Sequence, residues 1–169
     1  MKFQLHYPAK PYKLNQAWGT NKKIRAPFDG VCIKIGYQPN GGGNFLGFIS
    51  KNYYEFGDGK VCQVLLDFLH CESISVKGGQ DCEEGDELAI GDNTGFSTGT
   101  HTHIQPRRVS WDGISIQTID KNDANNSFDI VPYFTGDYAE DIWKLKQSIL
   151  TLTIEFLKLK VALLLKQIK

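Results

Sequence analysis

Residues 68–105 read "FLHCESISVKGGQDCEEGDELAIGDNTGFSTGTHTHIQ". The middle of this stretch, 77–88, is crowded with glycine pairs and acids, the composition of turns around short β segments. At its far end His101 and His103 stand two apart, behind a Gly/Ser/Thr run. Side chains alternate along a strand, so two histidines at that spacing face the same way and can serve one site. "HTHIQPRRVS" (101–110) predicts such a strand, followed by a Trp-Asp-Gly turn and the segment "ISIQTID". His70 closes an apolar run at the other end of the stretch, so three of the chain's four histidines lie near these turns.

Working outward, "GVCIKIGYQ" alternates Val31, Ile33 and Ile35 with Cys32 and Lys34, which predicts a strand. "PNGGG" (39–43) is a turn, and "NFLGFIS" predicts a second strand. The triple glycine lacks the Lys-Ser/Thr and the following helix of a phosphate loop, so it reads as a hairpin. "EFGDGK" carries an Asp-Gly hairpin signal, and "VCQVLLDFLH" predicts a mostly buried third strand. The fold class expected is mainly β, an antiparallel sandwich or roll spanning 26–134, after an irregular segment 1–25. Most aromatics belong to its core. Tyr37, Tyr53 and Tyr54 are expected to line a groove that stacks on sugar or peptide, and Arg107 and Arg108 to form a solvated strand end.

At 169 residues, 41% hydrophobic, the chain suits one domain with one real core. Lys+Arg and Asp+Glu both total 19, which gives no support to nucleic acid or an anionic membrane as partner. The opening "MKFQLHYPAKPY" is not a secretory signal. The expectation is a chain cytoplasmic when made, with virion association or release as its route to a cell wall. Cys32, Cys62, Cys71 and Cys82 form no C-x-x-C pair, which favours buried thiols and leaves one disulfide open.

The last thirty residues differ in kind. "AEDIWKLKQSILTLTIEFLKLKVALLLKQIK" has neither Gly nor Pro. Ile142, Leu145, Ile149, Leu152, Phe156, Leu159 and Leu163 follow a strict 3,4 spacing, and a second stripe runs through Leu150, Ile154, Leu157, Val161, Leu164 and Ile168. Together they predict an amphipathic helix over 138–169 with a wide apolar face, able to make homo-oligomers as dimers or trimers. A period-two reading of "TLTIEF" and "LKLKV" leaves a strand as the alternative. Thr135 or Asp137 is expected near the N-cap, with Glu140 and Asp141 in the first turn. Glu155, Lys158 and Lys160 interrupt the apolar run, so no membrane span is expected.

The quoted stretch resembles, nearly in register, the C-terminal core of the lysostaphin-type (LytM-like) zinc endopeptidases of peptidoglycan. Leu69-His70-Cys71 stands at the family's Tyr-x-His-Leu-like element. Val76, Gly79, Cys82, Gly85, Leu88 and Gly91 follow its turn repeat. Asn93-Thr94-Gly95, Ser97-Thr98-Gly99 and His101-Thr102-His103 match its G-N-T-G-x-S-T-G-x-H-L-H-F segment. "NQAWG" is similar to its Gln-x-Phe-Gly motif, "APFDGVCIKIG" to its Ala-Pro strand, and "GGGNFLGFIS" to its Gly-Asn strand. The resemblance covers roughly 14–119 and is most specific over 91–103. It implies that His103 is a zinc ligand. It implies that His70 and His101 are catalytic, activating water or stabilising the tetrahedral intermediate. It also implies that Asn93, Thr94, Ser97 and Thr98, with Tyr53 and Tyr54, contact substrate.

The chain departs from the family at one place. Two of the family's three ligands come from a His-x-x-x-Asp element before the Ala-Pro strand, and here that interval is "TNKKIR" (20–25), without His, Asp, Glu or Cys. A catalytic zinc normally needs about three protein donors, so low zinc occupancy at His103 is expected. His6, Asp29 and Asp67 are the replacement donors to weigh. Lys22, Lys23 and Arg25, where the ligand loop should be, would oppose a cation and favour a carboxylate if they reach the pocket. Cys71 beside His70 suggests a Cys-His pair only until alternation is considered, since strand neighbours face opposite ways. The expected function is a degenerate endopeptidase-like domain that binds cell-wall peptide or a cell-wall-associated protein. The alternatives are an active zinc metalloendopeptidase cutting peptidoglycan cross-bridges, with ligands rebuilt, and an oligomeric scaffold driven by the helix.

Overall fold

The computed structural model describes Lys2, Leu5–Tyr7, residues 22–120, Phe128, Ile130 and residues 134–167. The chain runs β1 (Leu5–Tyr7), β2 (Lys22–Arg25), β3 (Gly30–Gln38), β4 (Gly43–Ser50), β5 (Tyr54–Glu55), β6 (Val61–Ile74), β7 (Asp81–Cys82), β8 (Glu87–Gly91), β9 (His103–Trp111), β10 (Ile116–Thr118), β11 (Phe134–Tyr138) and α1 (Ala139–Gln167). Nine strands form one sheet in the order β10-β9-β6-β4-β3-β7, with β2, β5 and β8 joined off that path. All its pairings are antiparallel, as expected for a mainly β body. β1 and β11 pair in parallel as a separate ribbon. The segment read as irregular therefore contributes two strands, and β2 already belongs to the main sheet.

β6 is the spine, because its side chains are apolar on both faces. Cys62, Val64, Leu66 and Phe68 point to the larger core with Leu46, Phe48, Phe28 and Ile24. Leu65 points the other way, to a smaller cluster with Ile49 and Val109, packed by Val31, Ile33 and Trp111. Period-two alternation in a strand covered on both sides reads as a nearly continuous apolar run, which is why 61–69 is apolar but for Gln63 and Asp67. Phe28 stacks on Phe48 at 5.5 Å between ring centroids. Tyr54 joins this core at 4% exposure, so it does not line a groove. Burial of each such aromatic stabilises the fold by about 2–3 kcal/mol.

The four cysteines are free and buried, so the disulfide left open by the sequence does not form. Arg107 and Arg108 are not a solvated end. Arg107 pairs with the buried Asp67, and Arg108 pairs with Asp58 and Asp120 while lying 5.1 Å from the centroid of Phe56.

α1 confirms the helix and removes the strand alternative. It begins at Ala139, directly after Tyr138, so neither Thr135 nor Asp137 occupies the position before it. The side chains of those two residues, and of Glu140 and Asp141, lie outside the described residues. From 144 to 165 every side chain is exposed, so this part of the helix does not bury a face on the body. At about 100° per residue the centres of the two apolar stripes lie roughly 130° apart, with Lys146, Thr153 and Lys160 between them. They are two faces, not one wide one. No helix among the described residues is long and apolar enough to cross a membrane.

Candidate functional site

The site forms where β6 changes partners. Up to Leu69 it pairs with β9, Leu69 opposite His103, and with β4; from Cys71 it pairs with β8 through Gly91. His70 sits at the switch with φ +61°, the one non-glycine residue in the left-handed region among those described. Such a conformation is disfavoured for a residue with a Cβ and persists only where surrounding bonds hold it. They do: the His70 amide donates to the Gly42 carbonyl at 2.6 Å, and the Asp92 amide donates to the His70 carbonyl at 3.1 Å. The left-handed turn breaks the strict alternation of β6 and brings the His70 ring beside the start of β9.

His103 opens β9, and His101 lies just before it rather than on it. The pair still converges. The His101 amide donates to the Asp92 carbonyl at 3.1 Å, so one residue, Asp92, clamps the backbones of both His70 and His101. The rings of His70 and His101 are 4.8 Å apart and those of His70 and His103 6.0 Å. One nitrogen from each of the three lies within 4.8 Å of the others.

Two of the rings have a defined tautomer. His70 Nδ1 is 2.8 Å from the Thr94 carbonyl, and His101 Nδ1 is 2.8 Å from the Gly99 carbonyl. A carbonyl oxygen only accepts, so each Nδ1 carries the proton and donates it. In the neutral ring Nε2 is then left with its lone pair free. Ser97 Oγ is 3.3 Å from His101 Nδ1 and donates to the Gly99 carbonyl at 3.0 Å, which steadies that ring. His103 remains exposed as a residue. Its pKa is lowered, first by the partial burial of its ring and then by the two neighbouring imidazoles, so it is neutral at pH 7.

Glycine carries the support beneath. Gly43 has φ +61°, and a Cβ there would lie 2.3 Å from the Thr94 backbone; a Cβ on Gly95, φ +76°, would lie 2.2 Å from the Gly43 nitrogen. The 39–43 hairpin and the 92–100 loop thus touch backbone to backbone, a contact only glycine allows. Thr94 binds them together. Its Oγ1 donates to the Cys71 carbonyl at 2.7 Å and accepts from the Asn44 amide at 2.9 Å. Gly41–Gly43 read as a plain hairpin, and Asp92 drew no attention. The Gly-Asp-Asn-Thr-Gly turn is the only local sign of either role.

Of the residues expected to contact substrate, Thr94 and Ser97 spend their hydroxyls on positioning. Asn93 and Thr98 are exposed on the same loop, beside Phe96 at 80% exposure. Tyr53 is exposed but follows the Ser50 end of β4, while Asn44, at the other end, pairs opposite Cys71. It is therefore remote from the histidines.

Two of the replacement donors, Asp29 and Asp67, do not arrive. Asp29 Oδ1 accepts from the Glu84 amide at 2.8 Å, holding a turn. Asp67 is paired with Lys34 at 2.9 Å and with Arg107. The side chain of His6 lies outside the described residues. Cys71 is fully buried, its thiol pushed up to about 12 by burial, which rules out a thiolate nucleophile. Nor do the basic residues line the pocket. β8 stands between β2 and β6; Lys23 pairs with Glu87 at 2.7 Å, and Arg25 Nη1 donates to the Gly85 carbonyl. The side chain of Lys22 lies outside the described residues.

The family's zinc set therefore does not fit. Of the three ligands that the resemblance implies, only His103 has a counterpart by position, and from Tyr7 to Phe28 the chain has no His, Asp, Glu or Cys at all. What the geometry does offer is three imidazoles in a cluster that a metal can join. A tetrahedral zinc with bonds of about 2.1 Å holds its nitrogens roughly 3.4 Å apart, so the cluster would need to close slightly.

No family model matches the chain. Over 98 residues, 58% of its length, it is 32% identical to an uncharacterized metalloprotease of Haemophilus influenzae, of which it spans 18%. Among solved structures it is similar to the catalytic domain of the antimicrobial peptidase lysostaphin from Staphylococcus simulans. That likeness has 22% identity and TM-score 0.44, covering 69% of this chain and 88% of that one. It is also similar to a zinc-containing peptidase from Vibrio cholerae, with 21% identity and TM-score 0.44, covering 62% and 33%. The resemblance to lysostaphin-type peptidases read from residues 91–103 stands beside these likenesses.

Proposed function

We propose that this chain is a peptidoglycan endopeptidase-like domain that engages cell-wall peptide at the histidine cluster without the family's zinc centre. One observation carries the reading. Within the interval 20–25 that would supply two of the three ligands, residues 22–25 form β2, paired with β8 with Lys22 opposite Gly91, and none of the six residues is His, Asp, Glu or Cys. The cluster keeps its recognition chemistry. With Nδ1 committed to carbonyls, Nε2 of His70 and His101 is the ring atom left to meet a peptide, and Phe96 offers an exposed apolar surface on the same loop as His101.

The test is co-sedimentation with purified insoluble peptidoglycan, alongside assay of released soluble fragments and of metal per chain. Binding should fall severalfold in His101→Ala and His103→Ala, and no fragments should be released with or without added zinc. Chelator-sensitive release by the unsubstituted chain would overturn the reading.

A second reading, an active metalloenzyme with rebuilt ligands, is favoured by the convergence of the three imidazoles. It requires near one zinc per chain, lost equally in His70→Ala and His103→Ala, together with fragment release.

A further inference from the structure

The exposed helix has a specific partner written on one of its two apolar faces. Leu145, Ile149, Leu152, Phe156, Leu159 and Leu163 are 53–71% exposed. Written as heptads, Ile149, Phe156 and Leu163 take the first core position and Leu145, Leu152 and Leu159 the second. Leucine fills the second position each time and β-branched Ile149 opens the first, the pattern of a parallel two-stranded coil, while Phe156 and Leu163 keep the first position apolar. We propose that this face is the seam of a parallel homodimer, its occupant the same helix of a second copy.

Charge distinguishes this face from the opposite one. The seam is flanked on one side by Ser148, Glu155 and Ala162, and on the other by Lys146, Thr153 and Lys160. In a parallel pair the flank residue of one helix meets the flank residue five positions on in the other. That sets Glu155 against Lys160 of the second copy, twice by symmetry, and opposes no like charges. Lys160 already borders the seam, with its Nζ 5.6 Å from the centroid of Phe156. Glu155 is held locally by Lys158 at 2.8 Å, an exposed bond that exchanges at little cost. The other stripe, Leu150, Ile154, Leu157, Val161 and Leu164, is flanked by Lys146 and Lys160 on one side and Lys144 and Lys158 on the other. Self-pairing there, at the same five-residue offset, would set Lys146 against Thr151, Thr153 against Lys158 and Lys160 against Leu165, and so gain no ion pair. An antiparallel pairing of the first seam would oppose Lys146 and Lys160 and leave Glu155 without its cation.

The experiment is sedimentation equilibrium on the full chain at low micromolar concentration. The unsubstituted chain should be a dimer. Leu152→Glu with Leu159→Glu should give a monomer, while Leu150→Glu with Leu157→Glu should leave the dimer. Because these side chains are 54–71% exposed, circular dichroism of the β domain should be unchanged in both. Glu155→Lys should weaken the dimer about two- to fivefold, and adding Lys160→Glu should restore it. A monomeric unsubstituted chain, a trimer or larger assembly, equal loss from both double variants, or recovery of the monomer on lipid vesicles instead would each overturn the proposal.

Discussion

Replacing Thr94 with valine tests whether this side chain positions the histidine cluster or contacts a ligand. Valine keeps the shape and removes the hydroxyl. Two hydrogen bonds go: Oγ1 to the Cys71 carbonyl at 2.7 Å and the Asn44 amide to Oγ1 at 2.9 Å. They do not count equally. The Cys71 carbonyl still accepts from Asn44 Nδ2 at 3.1 Å, so that loss is an ordinary one of about 1 kcal/mol. The Asn44 amide is left partly buried without this acceptor, which costs about 1–2 kcal/mol. The sum, about 2–3 kcal/mol, should lower the thermal midpoint by roughly 5–10 °C. In urea it should shift the midpoint by about 1–1.5 M at unchanged slope. Thr94→Ser should stay near the parent. Tryptophan fluorescence in urea measures this, and nitrogen NMR of the imidazoles checks that His70 keeps its Nδ1–H tautomer, since valine retains the backbone carbonyl that Nδ1 donates to. A valine variant with an unchanged midpoint but weakened wall binding would refute the reasoning, because the hydroxyl would then face ligand.

Two further outcomes follow from buried groups. Burial alone would raise the Asp120 carboxyl, but the hydrogen bonds and charges of Lys60 and Arg108 more than reverse this, so its pKa is lowered on folding. Its contribution is therefore fully present above the unfolded value near 3.9 and is lost as pH falls through the folded value. Asp120→Asn should cost roughly 3 kcal/mol at pH 7 and flatten the loss of stability below pH ~4; an acid profile parallel to the parent's would remove the carboxylate from that role. The thiols give a simpler reading. Burial pushes Cys71 up to about 12 and Cys62 and Cys82 up to about 11. The native chain should therefore show no fast-reacting thiol, and all four should react after denaturation. Rapid stoichiometric labelling of the folded chain would contradict it.

Much of this molecule is written locally. Val31, Ile33 and Ile35 alternate because β3 has two faces; 61–70 is mostly apolar because β6 is buried on both faces from Cys62 to Phe68; the 3,4 spacing after residue 140 is the period of α1. His101 and His103 could be placed on one face from their spacing, whereas joining His70 to them and reading 20–25 as a loss of ligands rested on the resemblance to lysostaphin-type peptidases. The strand, turn and helix signals depend on neighbours two to four residues away, which the chain alone specifies. What the sequence left open involves residues far apart along it. The left-handed turn at His70 depends on Gly42 and Asp92. The fit of Gly43 against Gly95 joins two loops about fifty residues apart. Tyr54 is buried rather than groove-lining because it meets Phe28, and Arg107 is structural because it meets Asp67. Register across the sheet decides each of these, and register is a property of several strands at once, set when the two faces of β6 are covered together. Pattern along the chain determines which residues belong to strands, helix and turns; only the packed sheet determines which of them meet.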